Sequence, residues 1–312
     1  RETKVGRKRK GEPINCWVII DKPSGMTSTA VVNAVKRLTG AAKAGHAGTL
    51  DPLATGVLPI AMGEATKTVS YVVNGTKCYR FTLCWGTSTE TDDADGSAID
   101  TSSMRPDRVA IEAVLPRFTG EINQVPPKYS AVKVDGRRAY TLARADKDVK
   151  LAPRTVEIFE IRLTDMPDVD HAEFEVKCGK GAYMRSLARD IAMALGTVGH
   201  LSKLRRTAVS SFSEEDVISL DELSAIRQSA GDSQHFLPVE TPLDDIPALA
   251  LTEIEASRLR NGQAVSLLRK VDLERIAGLR EGETVLAMSE ERPVALTRYH
   301  AGEIRPVRVL NI

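Results

Sequence analysis

The chain has 312 residues, of which 42% are hydrophobic and 27% charged, with a formal net charge of +1. That length suits two domains with at least one sizeable core, and the composition excludes collagen-like and disordered classes. No apolar run approaches the roughly 20 residues of a membrane span, and a near-zero net charge argues against a uniformly basic nucleic-acid binder.

Trp17, Val18, Ile19 and Ile20 read as a short buried strand running into the turn DKPSGMTS. Ser28 then offers an N-cap for a helix reaching about Leu38, with Gly40 placed to end it. Residues 45–56 read GHAGTLDPLATG, one histidine and one carboxylate among small residues. Asp51 before Pro52 fits a helix N-cap with proline at the first helical position. The competing reading is a glycine-bounded loop that presents one acid to a substrate; the local residues alone favour the cap. Residues 64–73 follow as a helix. Tyr79, Phe81, Leu83 and Trp85 then alternate with Arg80, Thr82 and Cys84, the pattern of a half-buried strand.

The next segment, TETDDADG, is either a turn or a polar cleft wall. An EF-hand register ending on Gly96 would put Ser102 where calcium needs a bidentate glutamate, which argues against calcium. Residues 106–118 form an amphipathic helix stopped by Gly120. Residues 124–153 are irregular and read as an excursion from the sheet. Residues 155–163 and 172–178 alternate like paired strands, and a tight GKG turn at 179–181 leads into a helix over 183–195. Residues 232–247 read as a linker. Thr252 and Glu255 form a capping box that opens a small, mostly β domain.

The charge is unevenly placed. Residues 1–10 carry six basic side chains and one acidic, and from Leu251 onward ten basic side chains face nine acidic, which leaves the body near −5. A nucleic-acid surface must therefore be local, built from clusters such as Lys203, Arg205 and Arg206, or Arg137 and Arg138. The basic arm would add salt-sensitive phosphate contacts. Cys16, Cys78, Cys84 and Cys178 form no C-x-x-C pair and read as buried free thiols in a reducing compartment. No apolar signal region follows the basic N-terminus, so a cytoplasmic protein is expected.

The five histidines are scattered and lie in no G-x-S-x-G or papain-like setting. No H-E-x-x-H, Walker loop or dinucleotide fingerprint is present, and GKGAYMR lacks the K-[ST] ending of a phosphate loop. What remains is chemistry by carboxylates, tyrosines and arginines without cofactor or metal. Asp51 could act as nucleophile or base, and an arginine such as Arg185 could keep it ionised.

GHAGTLDPLATGVLPI, with DKPSGMTS upstream and GEATK downstream, closely resembles the TruB family of tRNA pseudouridine synthases. The likeness continues in order through KCYRFTLCWGTSTETDDADG, VPPKYSAVKVDGRRAY, GKGAYMRSLARDIAMALG and HLSKLRRTAVSSF. The resemblance implies an α+β fold: a mixed, largely antiparallel sheet with flanking helices, the active site in a cleft across it. A basic arm (1–13), a catalytic domain (14–246) with an insertion at about 124–153, and a PUA-like RNA-binding domain (247–312) are the expected divisions. The implied reaction turns uridine 55 in the T-loop of tRNA into pseudouridine, with no cofactor, no metal and no protein partner, by a monomer.

Residue by residue, the resemblance makes Asp51 the essential aspartate and Arg185 the arginine that pairs with it. Lys22 would support the aspartate loop. Tyr79 would stack on the flipped uracil, Tyr183 and Leu204 would line its pocket, and Asp93 would line the cleft. His46 would insert into the T-loop where bases have left the stack. Two other readings share parts of the pattern: a guide-RNA-dependent synthase working inside a multi-protein particle, and a tRNA-folding chaperone without chemistry. A glycoside hydrolase is weaker still, because no second carboxylate is clearly paired with Asp51.

Overall fold

The computed structural model describes residues 11–130, 133–134, 137–138, 151–228, 234–269 and 272–312. The N-terminal basic arm up to residue 10 lies outside the described residues, as does most of the 124–153 insertion, including the side chains of Arg137 and Arg138. Among the described residues no helix is long and apolar enough to cross a membrane.

The strands in chain order are β1 (Cys16–Lys22), β2 (Ala44–His46), β3 (Thr55–Met62), β4 (Lys77–Trp85), β5 (Thr87–Thr89), β6 (Ala98–Thr101), β7 (Gly120–Gln124), β8 (Lys133–Val134), β9 (Arg137–Arg138), β10 (Arg154–Asp168), β11 (His171–Cys178), β12 (Gly199–Val209) and β13 (Phe212–Ser213). Nine of them make one sheet in the order β1-β3-β12-β4-β11-β10-β7, with β2 against β3 and β13 against β12. Only the β3–β12 pair is parallel. The sheet is therefore mixed and largely antiparallel, as expected.

The alternation in β4 does what its pattern predicts. Phe81, Leu83 and Trp85 are buried in the main core, and Phe81 stacks on Phe174 of β11 with centroids 5.1 Å apart, a pair worth about 1 kcal/mol beyond its buried area. The helices Ser28–Thr39 and Met184–Ala194 lay Val31, Val35, Leu187 and Ile191 into that same core. A second cluster covers the other face of β1 and β3, with Trp17, Ile19, Val57 and Ala61 packed on Val209 and Phe212.

Several local expectations are corrected. Thr27, not Ser28, caps the first helix through a bond from Ala30 N. The Ser28 hydroxyl instead exchanges two hydrogen bonds with Leu50, at 3.0 and 2.8 Å. No helix follows Asp51: the chain makes a turn closed by Ala54 N to Asp51 O at 3.1 Å and enters β3 at Thr55. The expected helix at 64–73 is a 3-10 turn, Gly63–Lys67, followed by a short helix, Val69–Asn74. Residues 234–247 are no loose linker, because Leu237 exchanges backbone hydrogen bonds with Trp17, and Val239 and Leu243 are buried. Cys16 and Cys178 are buried, burial pushing each thiol up to about 12, while Cys78 and Cys84 are half-buried.

Beyond residue 247 a five-stranded sheet runs β14 (Ala248–Ala250), β15 (Val265–Ser266), β16 (Thr284–Ser289), β17 (Arg292–His300) and β18 (Glu303–Val309), in the order β14-β16-β17-β18-β15. The capping box forms as predicted, Thr252 N to Glu255 Oε2 at 2.8 Å and Glu255 N to Thr252 Oγ1 at 3.3 Å. The small domain rests on the large one. Leu310 sits in the Trp17 cluster, Lys67 Nζ donates to Val309 O at 2.7 Å, and Asn311 N donates to a Glu64 carboxylate oxygen at 2.8 Å.

Gly56 shows how tightly β3 meets β12. Its φ is +98°, and a Cβ built there would lie 2.2 Å from Arg206 O. Gly56→Ala therefore has both a strained backbone and a backbone clash, and should cost about 3 kcal/mol or more. A chemical-denaturation midpoint equal to wild type would contradict this close approach.

Candidate active site

Asp51 sits in the turn between β2 and β3, and three contacts hold that turn from below. Ser28 ties Leu50. Gly25 N donates to Pro52 O at 2.8 Å. Lys22, 0% exposed at the end of β1, donates to the carbonyls of Pro23, Pro52 and Ala54 at 2.9, 3.0 and 2.6 Å. Burial brings the Lys22 ammonium down to about 8, with the Asp51 charge acting the other way. Lys22 is thus a buried staple for the turn that carries Asp51.

Above the turn lies the N-terminal end of the Met184–Ala194 helix. Arg185, in its first turn and only 4% exposed, joins three separate segments. Its Nε is 3.0 Å from Asp51 Oδ2, an ionic contact. Its Nη1 donates to Thr91 O and its Nη2 to Tyr129 O, both at 3.0 Å. Asp93 Oδ2 lies 3.5 Å from Nη1 on the far side. One guanidinium between two carboxylates offsets part of the cost of burying them. Burial nevertheless pushes Asp51 above the ordinary carboxylate value; Arg185 pulls it back down, Asp93 pushes it up further and Lys22 lowers it.

Asp51, Arg185, Tyr79, Tyr183 and Leu204 line one cavity of about 280 Å³, room for a base and part of its sugar. Tyr79 reaches it from β4 and Leu204 from β12; Tyr183 caps the Arg185 helix. Burial pushes both phenols up, and the Arg206 charge works against that at Tyr79. Asp93 does not line the cavity, which corrects the expectation for it. It is 4% exposed and accepts hydrogen bonds from Thr91 Oγ1 and from Asp95 N, so it backs Arg185 instead of facing the cleft. His46 stands outside the cavity on β2, half-buried, with a buried Nδ1 that has no hydrogen-bond partner among the described residues. Burial and the nearby Arg206 charge both lower its pKa, which favours a neutral ring.

The root of the 124–153 insertion is fixed to the same helix. Gln124 Oε1 accepts from Tyr183 N at 3.0 Å, and Val125 O accepts from Ser186 Oγ at 2.8 Å and from Arg189 Nη2 at 2.9 Å. Among the cavity residues that the sequence reading missed are the basic side chains Lys77, Lys180 and Arg206. Lys77 is two positions before Tyr79 on the same strand face, a period-two signal that was there to be used. Its ammonium caps the helix Val69–Asn74 through Val73 O and Gly75 O, and burial lowers it to about 8. The cluster of Arg205 and Arg206 is not a free basic surface. Arg205 is held by both oxygens of Asp21, at 3.0 and 3.1 Å, and by Glu214, and Arg206 is 1% exposed.

The architecture is shared with the crystal structure of a Cbf5-Nop10-Gar1 complex, whose matching chain aligns with a TM-score of 0.72 at 26% identity, over 95% of this chain and 84% of that one. The structure of an H/ACA RNP bound to a substrate RNA containing 2'-deoxyuridine aligns with a TM-score of 0.73 at 23% identity, over 100% and 92% of the two chains. Residues 36–184 match the TruB family pseudouridylate synthase N-terminal domain, and residues 185–244 match the tRNA pseudouridylate synthase B C-terminal domain. Fold and site together define a pseudouridine synthase, an isomerase. tRNA pseudouridine synthase B of Rhodospirillum rubrum is 55% identical over 99% of this chain and 100% of its own length, and that of a Caulobacter species is 51% identical over 99% and 100%. The chain belongs to the TruB family.

Proposed function

We propose that the enzyme isomerises uridine 55 in the T-loop of tRNA to pseudouridine, with Asp51 as the reacting carboxylate. The observation that carries this reading is the Asp51–Arg185 pair at 3.0 Å, opening onto a cavity that Tyr79, Tyr183 and Leu204 wall. The C1′–N1 bond breaks, the uracil turns, and a C1′–C5 bond forms. C5 gives up its proton and N1 takes one, so the composition of the nucleotide is unchanged and no electrons enter or leave. An ionised Asp51 beside the sugar supplies the charge that engages the nucleotide when N1 departs, as a carboxylate does for a glycosidic bond. Tyr79 and Tyr183 offer ring faces and hydroxyls to the turning base, and Leu204 an apolar floor.

The target base must leave the loop stack, which costs a few kcal/mol. His46 suits the role of a replacement: a half-buried, uncharged flat ring on the strand beside the cavity. The basic arm 1–13 and the domain 247–312 are the further RNA contacts, and the insertion closes over the stem-loop. The enzyme works in the cytoplasm as a monomer, without a protein partner. Relatives matched over their full length and named tRNA pseudouridine synthase B favour this stand-alone reading over a guide-RNA-dependent one.

Tritium release from C5-labelled uridine in tRNA transcripts tests the proposal, with a bare T-stem-loop as the second substrate. Release from both, abolished when uridine 55 is replaced, is expected; no release from the intact tRNA would sink the assignment. His46→Ala should weaken binding of folded tRNA by about tenfold, and weaken binding of a T-loop with its bases already unstacked much less. Equal losses in a filter-binding titration would remove His46 from the wedge role.

A further inference from the structure

Arg206 lies at the crossing of the three strands that build the site, and the mechanism above leaves it unused. In the sheet its backbone is opposite Tyr79 of β4 on one side and Gly56 of β3 on the other. Directly opposed residues project their side chains on one face of a sheet, so the Arg206 and Tyr79 side chains leave β12 and β4 together. The guanidinium ties β3 to the loop ahead of Asp51: Nε donates to Val57 O at 2.8 Å and Nη2 to Gly48 O at 3.1 Å. Gly48 is itself at φ +106°, and a Cβ there would lie 3.3 Å from Arg206 Nη1.

Arg206 and Tyr79 are cross-strand neighbours that both line the catalytic cavity, and the Arg206 charge acts on the phenol. No carboxylate forms an ion pair with Arg206 among the described residues, so a charge that is 1% exposed is met by the carbonyls of Gly48 and Val57 beside the Tyr79 ring. A buried guanidinium left without a counter-ion is costly, and a structural clamp between β3 and β12 would need no charge.

We propose that Arg206 is a positioning residue for Tyr79, fixing the phenol relative to the Asp51 turn. A guanidinium can only donate. In a hydrogen bond between the two, Tyr79 Oη is the acceptor, which leaves its own O–H available to the uracil that turns in the cavity. The same side chain holds Gly48 O and Val57 O, so the hydroxyl and the reacting carboxylate are referenced to one rigid fork. Arg206 thus sets the distance between the group that meets the base and the group that meets the sugar. This inference rests on the roles of Asp51 and Tyr79 proposed above.

The experiment is a double-mutant cycle on the full chain with intact tRNA. It combines Arg206→Lys, Tyr79→Phe and both, read by single-turnover tritium release, tRNA affinity and thermal midpoint. Lysine keeps the charge but loses the fork. In the Tyr79 enzyme, Arg206→Lys should slow the single-turnover step by about 10- to 100-fold and change tRNA affinity by less than about threefold. In the Tyr79→Phe background the same substitution should cost less than about threefold, because the group it positions is gone. Equal losses in the two backgrounds would overturn the proposal. So would a lowered thermal midpoint with the rate of the folded fraction unchanged, since that marks a clamp and nothing more. A Tyr79→Phe enzyme as fast as wild type would remove the role of Tyr79 and the proposal with it, while leaving tRNA isomerisation intact. A wild type that releases no tritium would overturn the assignment itself.

Discussion

Asp51→Asn should abolish tritium release, by at least about 10⁴-fold in the single-turnover rate, the scale on which loss of one reacting group acts. Asparagine has nearly the same shape. It cannot carry the charge that Arg185 holds at 3.0 Å, and it is a poor nucleophile and base. The turn itself is held by Ser28, Gly25 and Lys22, none of which bonds to the Asp51 side chain. The variant should therefore fold and bind tRNA within about threefold of wild type. A variant that retained activity would reassign the chemistry away from this carboxylate. The wild-type profile carries a further mark of Asp51. Burial raises its pKa above the ordinary value of 3.8, so the rate should fall on acidification at a higher pH than an exposed aspartate would dictate, with a slope of one proton. A rate flat down to pH 4 would contradict that.

The second large effect belongs to Arg185→Met. Removing the guanidinium leaves Asp51 and Asp93 facing each other without a cation, and frees the carbonyls of Thr91 and Tyr129 from their donor. Breaking a buried charged network in this way costs about 3–5 kcal/mol. The pH dependence has a definite sign. Arg185 lowers the Asp51 pKa, so its loss raises the native value further above the unfolded one. The native state then binds the proton more tightly than the unfolded state does. The variant should be most stable in acid and lose stability as pH rises through the elevated native pKa. Its activity should recover in part at higher pH, as Asp51 ionises. A variant whose urea midpoint is independent of pH between about 4 and 8 would count against coupling of the two carboxylates through Arg185.

The elements with clear local signals were legible before the structure: β4 by its alternation, β10 and β11 by theirs, and the helices around Val31 and Leu187 by the turns that lead into them. Asp51 itself was not legible from its neighbours, and only the resemblance singled it out. Asp-Pro is a good cap, and the tertiary ties from Lys22 and Ser28 make it a turn at the cavity instead; Lys22 lies 29 positions earlier in the chain. The Ser28 hydroxyl was misread for the same reason, because a serine at a helix start caps by default and no local signal says that a remote backbone will claim it. Asp93 was expected in the cleft because its acidic run reads as a polar wall and the resemblance places it there; it is buried beside Arg185, which gives it a charged partner. Arg206 misled most. Two adjacent arginines on a strand point to opposite faces, and the pair was read as one surface cluster. One arginine is claimed by Asp21 and Glu214 at the surface, the other by the loop behind the site.

The place of Leu310 in the cluster around Trp17 bears on how the protein comes into being. The apolar cluster on one face of the first strand includes a residue almost three hundred positions later. On the ribosome, β1 must wait with part of that face uncovered until the chain has been made as far as residue 310. The small domain is thus no passenger that could be cut away to leave a finished enzyme. A nascent chain halted at residue 246 would lack one member of that cluster, Leu310, and the face of β1 opposite the main core would be the last part of the molecule to close.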